Sequence, residues 1–207
     1  MSDLIITIGR EFGSGGHEIA VKLAEKLGVK CYDKEILTKA SEISGYSEDI
    51  FQTYDESASK SLLFSLAMGM YPNGNTLPLP AQLYNEQFSA IKEIAQKGSC
   101  VFVGRSADFV LRDFPNVVNV FVHAPMEKRI ERIVQRHGID REKAEKLIRK
   151  TDKDRANYYN NFTEQKWGAS KYYDLSINSG KTGIDGAVKL ILDFVEINKD
   201  AHGDNCL

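Results

Sequence analysis

Short apolar runs alternate along the chain with longer stretches in which apolar residues recur at helical spacing. Leu4, Ile5, Ile6, Thr7 and Ile8 form the first run. Unbroken apolarity over so few residues predicts a strand buried on both faces, at the centre of a parallel sheet. Ile19, Leu23, Ala24 and Leu27 then fall on one helical face, with Lys22, Glu25 and Lys26 opposite and Gly28 as the stop. Four more short runs, over 29–32, 100–103, 117–122 and 175–177, predict four more strands. Helical spacing fills 35–44, 126–137, 141 to about 157, and 185–198. On the last of these, Ala187, Leu190, Ile191 and Phe194 share a face. Between 47 and about 96 the pattern is helical but interrupted. Residues 68–80 hold three of the five prolines, which predicts a loop on a helical insertion.

Strands that alternate with helices imply an α/β fold, a five-stranded parallel sheet flanked by helices. The 207 residues suit one such domain with inserted segments. Composition adds exclusions. A net charge of -2 does not suit a nucleic-acid polymer as partner. No apolar run has the length of a membrane span. Met1, Ser2 and Asp3 lead straight into the first predicted strand, a start for which no secretory leader is expected. Cys31, Cys100 and Cys206 are scattered and show no metal spacing, so reduced thiols in a cytoplasmic setting are expected.

In such folds ligands bind at the C-terminal ends of the strands, and there the chain is polar. The first strand runs through Gly9, Arg10, Glu11 and Phe12 into Gly13, Ser14, Gly15 and Gly16, then into a helix. Small residues let backbone N–H groups close around an anion, and the helix N-terminus favours negative charge. A complete phosphate-binding loop reads G-x-x-x-x-G-K-[ST]. Here Gly15 is followed by Gly16 and His17, so the lysine and the hydroxyl are both missing. Arg10 and His17 flank the loop and offer alternative positive charge, or are solvated surface groups. Glu18 suits the helix dipole, with Mg²⁺ binding as a second role. Asp33 ends the second strand, where it caps a helix or takes part in chemistry. Lys39 lies six residues on. Arg105 follows an apolar strand and a glycine, a placement that favours a phosphate-binding guanidinium.

Lys128, Arg129, Arg132, Arg136 and the acids among them read as a solvated, salt-bridged helix pair. Arg149, Asp152 and Arg155 are placed on one broad helical face, where two arginines held by an aspartate suit a triphosphate. Tyr158, Tyr159, Phe162 and Trp167 read mainly as packing of a small lid. His123 and His137 are assigned no role, and no residue is assigned as a metal ligand.

These segments together resemble the cytidylate kinase-like family, a branch of the P-loop nucleoside monophosphate kinases. The resemblance rests on Arg10 to Ala20, Tyr32-Asp33, Val103 to Asp108, Ala124 to Met126, Arg155 to Asn160, Lys166 to Gly168 and Tyr173 to Asn178. It implies a P-loop kinase fold over 1–207, with a helical acceptor-binding insertion at about 41–96 and a lid at about 141–170. It also implies transfer of the γ-phosphoryl of ATP, with Mg²⁺, to a nucleoside monophosphate such as CMP or dCMP. In that reading Arg10, Gly13, Ser14, Gly15, Gly16 and His17 hold the donor phosphates. Lys39 and Arg105 hold the acceptor phosphate. Arg149 and Arg155 clamp the transferring group, and Asp33 orients the acceptor. The chain departs from the family loop G-x-x-G-x-G-K-x-T at Arg10, Gly16 and Glu18, and residues 41–91 contain no arginine. Two other classes stay open: a nucleotide-binding sensor or scaffold without catalysis, and a kinase for another small acceptor.

Overall fold

The computed structural model describes residues 3–54 and 79–203. Five parallel strands form one sheet in the order β2-β3-β1-β4-β5. These are β1 (Ile5–Arg10), β2 (Lys30–Tyr32), β3 (Cys100–Val103), β4 (Val117–His123) and β5 (Leu175–Asn178). β1 is central and pairs on both sides, Ile8 lying opposite Val103 and Val120. That position explains its unbroken apolarity, since neither face nor edge meets water.

Alternate side chains of β1 feed two cores. Ile6 and Ile8 meet Ile19, Ala20 and Leu23 of α1 (Gly16–Leu27). They also meet Ala187, Val188, Ile191 and Val195 of α8 (Ser179–Gly203). Ile5 points the other way, with Cys100 and Phe102, toward α2 (Glu35–Ser44), α3 (Glu48–Tyr54) and α4 (Leu79–Ala95). The short α5 (Ala107–Val110) joins this second core. A third cluster, Ile130, Ile133, Ala144 and Ile148, ties α6 (Met126–His137) to α7 (Arg141–Thr163).

Two sequence expectations change. The apolar face of α8 runs through Ala187, Val188, Ile191 and Val195, while Leu190 is 46% exposed. A non-helical Gly183 (φ 68°) divides α8 into a short piece from Ser179 and the main helix beyond it, which begins close to the expected 185. α7 continues past 157 to Thr163. Tyr158 and Phe162 extend it by packing on Tyr84 of α4, the Tyr84 and Phe162 rings stacking at 3.7 Å, so tertiary burial outweighs the weak helix propensity of the asparagines. The proline-rich loop expected over 68–80 lies outside the described residues except for Leu79 and Pro80. These two open α4, where a first-turn proline is tolerated. Among the described residues no helix is long and apolar enough to cross a membrane.

Candidate active site

The C-terminal ends of β1 and β2 border one cleft of about 840 Å³. Its floor is the loop that follows Arg10. Gly13 (φ 78°) and Gly15 (φ 84°) both take left-handed backbone, and Gly15 caps α1. This conformation strains any residue with a Cβ, so the glycines are needed where they stand. The loop is held from several sides. The Glu11 N–H donates to the Val122 carbonyl at 3.0 Å. The Phe12 N–H donates to Asp152 Oδ1 at 2.7 Å. Ser179 Oγ donates to the Ser14 carbonyl, which fixes the start of α8 to the fully buried Ser14.

Arg129 is the brace that sequence reading passed over. Its side chain is 7% exposed and lies 3.5 Å from Glu11. Its Nη1 donates to Asp152 and, at 3.3 Å, to the Phe12 carbonyl. Glu11 in turn accepts from the Ala124 N–H at 3.1 Å. The two carboxylates compensate the charge of this buried guanidinium, although its Nε makes no hydrogen bond. One turn on, Arg132 Nη1 donates to the Gly13 carbonyl at 2.6 Å and lines the cleft with Arg136. The signal was present: Arg129, Arg132 and Arg136 are three and four residues apart, hence on one helical face. Interleaved acids made that face read as solvated.

Arg155 and Asp152 reach the loop, and Arg149 does not. Arg155 lines the cleft, donates to the Arg10 carbonyl at 3.2 Å, and stands 5.6 Å over the Phe12 ring. Arg149 turns to solvent and donates through Nε to Glu145 at 2.9 Å. The expected clamp of Arg149, Asp152 and Arg155 is corrected accordingly: the aspartate holds Arg129 instead. At about 100° per residue Arg149 stands about 120° around the helix from Arg155, too far to share its partner.

At the other end of the cleft, Asp33 stands between Arg105 and His17. Arg105 Nη1 lies 3.4 Å from Oδ1 and His17 Nε2 lies 3.5 Å from Oδ2. Arg105 is 1% exposed in its side chain. Gly104, Arg105 and Ser106 have φ of 71°, 54° and 55°, a left-handed turn at the end of β3. Two non-glycine residues in that region cost free energy, of order 1 kcal/mol or more each. Such strain persists where surrounding structure enforces it, and here it turns the arginine inward. Glu35 accepts from the Asp33 N–H at 3.0 Å, and backbone N–H groups hold its carboxyl below the usual range. Lys39, expected beside Arg105, instead meets Glu42 and Glu93 on the flank of α2 and α4.

Behind Arg105, Asp108 of α5 accepts from Tyr159 at 2.6 Å. Burial pushes its carboxyl from an ordinary value near 3.8 up to about 6. Burial and the Asp108 charge likewise raise Tyr159 and Tyr173. Burial also lifts the Cys31 and Cys100 thiols, to about 11 and about 12, which leaves them protonated and inert. Among the described residues no three His, Cys, Asp or Glu side chains are placed to hold a metal ion. Magnesium brought by a nucleotide needs only one or two carboxylates beside the phosphates, and Glu18 and Asp33 line the cleft.

A central parallel sheet in this order, with a glycine loop leading from β1 into α1, is the P-loop kinase fold. A gluconokinase from Sinorhizobium meliloti shares that fold, with a TM-score of 0.58 at 14% identity over 99% of this chain and 98% of its own. The family model described as the cytidylate kinase-like family matches residues 5–181, and the chain belongs to that family. It is 27% identical over 202 residues to the cytidylate kinase of Pyrococcus horikoshii, covering 96% of this chain and 93% of that protein. The solved structure of an uncharacterized protein from Eubacterium ventriosum is 32% identical, with a TM-score of 0.69 over 93% of this chain and 98% of that one.

Proposed function

We propose that the protein transfers the γ-phosphoryl of ATP, delivered with Mg²⁺, to a nucleoside monophosphate of the CMP or dCMP kind. The observation that carries this reading is the meeting of the glycine loop, Arg132 and Arg155 around one cleft that extends to Asp33. Loop amides and the end of α1 receive the donor phosphates. Arg132, Arg136 and Arg155 offset the charge that spreads over the transferring group. Asp33 accepts from the acceptor and Arg105 donates to its phosphate, the pair presenting both functions at one place. Likeness to proteins named cytidylate kinase supports the choice of acceptor.

The acceptor side of a single domain falls in this reading on about 41–96, of which 55–78 lie outside the described residues, and α7 carries the cover. A coupled assay across the nucleoside monophosphates with ATP and Mg²⁺ tests it, with turnover expected for CMP or dCMP. ATP binding by calorimetry without turnover on any acceptor would leave a sensor or scaffold. One observation favours a kinase for another small acceptor: Lys39 is held by Glu42 and Glu93 rather than turned toward the cleft. Turnover of a phosphate-free hydroxyl compound, with none on nucleoside monophosphates, would establish that alternative.

A further inference from the structure

Of the three loop positions that depart from G-x-x-x-x-G-K-[ST], Arg10, Gly16 and His17, the first two depart as a pair. With Gly15 on the second glycine, the first glycine falls on Arg10 and the lysine on Gly16. A side chain is gained at one position and lost at the other, and the structure brings the two into contact. A Cβ on Gly16 would stand 2.5 Å from Cβ of Arg10 and 3.1 Å from its Cγ. Non-bonded carbons settle at about 3.5–4 Å. The obstructing atom is the root of a side chain, whose position the backbone sets, so no rotamer change relieves the contact. On this backbone a lysine at 16 and a side chain at 10 exclude one another.

We propose that the loop's phosphate-binding cation has moved from the start of α1 to the end of β1: Arg10 takes the role of the P-loop lysine, and Gly16 is glycine to admit it. This rests on the reading of the cleft as a polyphosphate site. Arg10 starts from almost the point where the lysine stem would start. It is buried and lines the cleft beside Gly13 and Gly15. Its backbone is anchored twice, by pairing opposite Val122 and by the Arg155 hydrogen bond to its carbonyl. A guanidinium also changes the contact. It forks onto two phosphate oxygens and keeps its charge at any working pH, whereas a lysine acts as a single point charge.

The test compares the wild type with Arg10→Gly, Gly16→Lys and the double variant. Each is titrated calorimetrically with MgATP and with inorganic tripolyphosphate, and its unfolding temperature is taken without ligand. Arg10→Gly is expected to bind both ligands about 10-fold more weakly or worse. Gly16→Lys alone unfolds at lower temperature from the collision. The double variant recovers that temperature and returns affinity to within about 3-fold of wild type. Arg10→Met keeps the stem without the charge and repeats the affinity measurement if Arg10→Gly folds poorly. Unchanged affinity in Arg10→Gly and Arg10→Met, or a double variant no better than Arg10→Gly, overturns the exchange and leaves the kinase reading standing. A wild type that binds tripolyphosphate but not MgATP removes the nucleotide reading, and the exchange is then judged on tripolyphosphate. A wild type that binds neither removes both.

Discussion

The two ends of the cleft handle charge differently. At the loop end, Arg10, Arg132, Arg136 and Arg155 converge from β1, α6 and α7. The nearest acids there already have cations of their own, Glu11 meeting Arg129 and Glu18 meeting Lys22. At the Asp33 end the cations already face acids: Arg105 lies against Asp33, and Lys39, outside the cleft, lies against Glu42 and Glu93. Four guanidinium groups gathered at one end suit a multiply charged anion that brings its own magnesium. A buried guanidinium–carboxylate pair suits a ligand that must be oriented, because it offers donors and acceptors in fixed positions. The difference teaches that one end is built to attract and the other to align.

The largest expected effect tests the aligning end. Arg105→Ala leaves Asp33 facing a void where its cation stood. It should cost about 3 kcal/mol of stability, as removal of one partner of a buried pair does, and should abolish turnover. Chemical denaturation and the coupled assay measure the two effects. A stable, active Arg105→Ala would dissolve the contrast between the ends.

Asp108 sharpens the comparison next, because it stands just behind the Arg105 turn. Its folded value near 6 lies above its ordinary one, so the native state holds the proton more tightly. The associated stability is complete well below about pH 4 and is lost as pH rises through about 6, a change of about 3 kcal/mol. Asp108→Asn keeps an acceptor for Tyr159 and should flatten that part of the stability profile. Denaturation midpoints at pH 4 and pH 7, in wild type and variant, decide it.

Arg132→Ala probes the attracting end. Three other arginines remain, so the expected loss is about 10-fold in ATP affinity, about 1.4 kcal/mol, with acceptor KM unchanged. A change in acceptor KM instead would place Arg132 at the wrong end. Lys39→Ala gives the smallest effect. A solvent-screened surface pair adds little, so the unfolding midpoint should hardly move and acceptor KM should stay within about 2-fold of wild type. A large rise in acceptor KM would show that Lys39 leaves its glutamates when the acceptor arrives.

Much of the fold was legible because its signals are local. The apolar run at 4–8, the glycine stop at 28 and the proline after 124 each act on their chain neighbours, and β1, α1 and α6 lie where these predict. Leu190 and the end of α7 were misread because periodicity marks apolar residues without saying which will be covered. The site was legible in part. The glycine loop, Asp33 and Arg105 stand at strand ends, where chain order alone brings them together. The roles of Arg129 and Arg149 were exchanged, since two arginines in charged helices look alike until a partner is known.

Chain order and composition by themselves determined the α/β class, the number of strands and the presence of a phosphate-type loop that lacks its lysine. Those properties follow from backbone preferences and from burial of apolar runs, which neighbouring residues decide. Only the tertiary structure decided which cations face the loop. Arg132 reaches Gly13 across 119 positions, and Arg10 meets Gly16 because strand, loop and helix fold back on themselves. Steric exclusion between two atoms depends on where the backbone carries them, and no pattern of residue types along the chain records that distance.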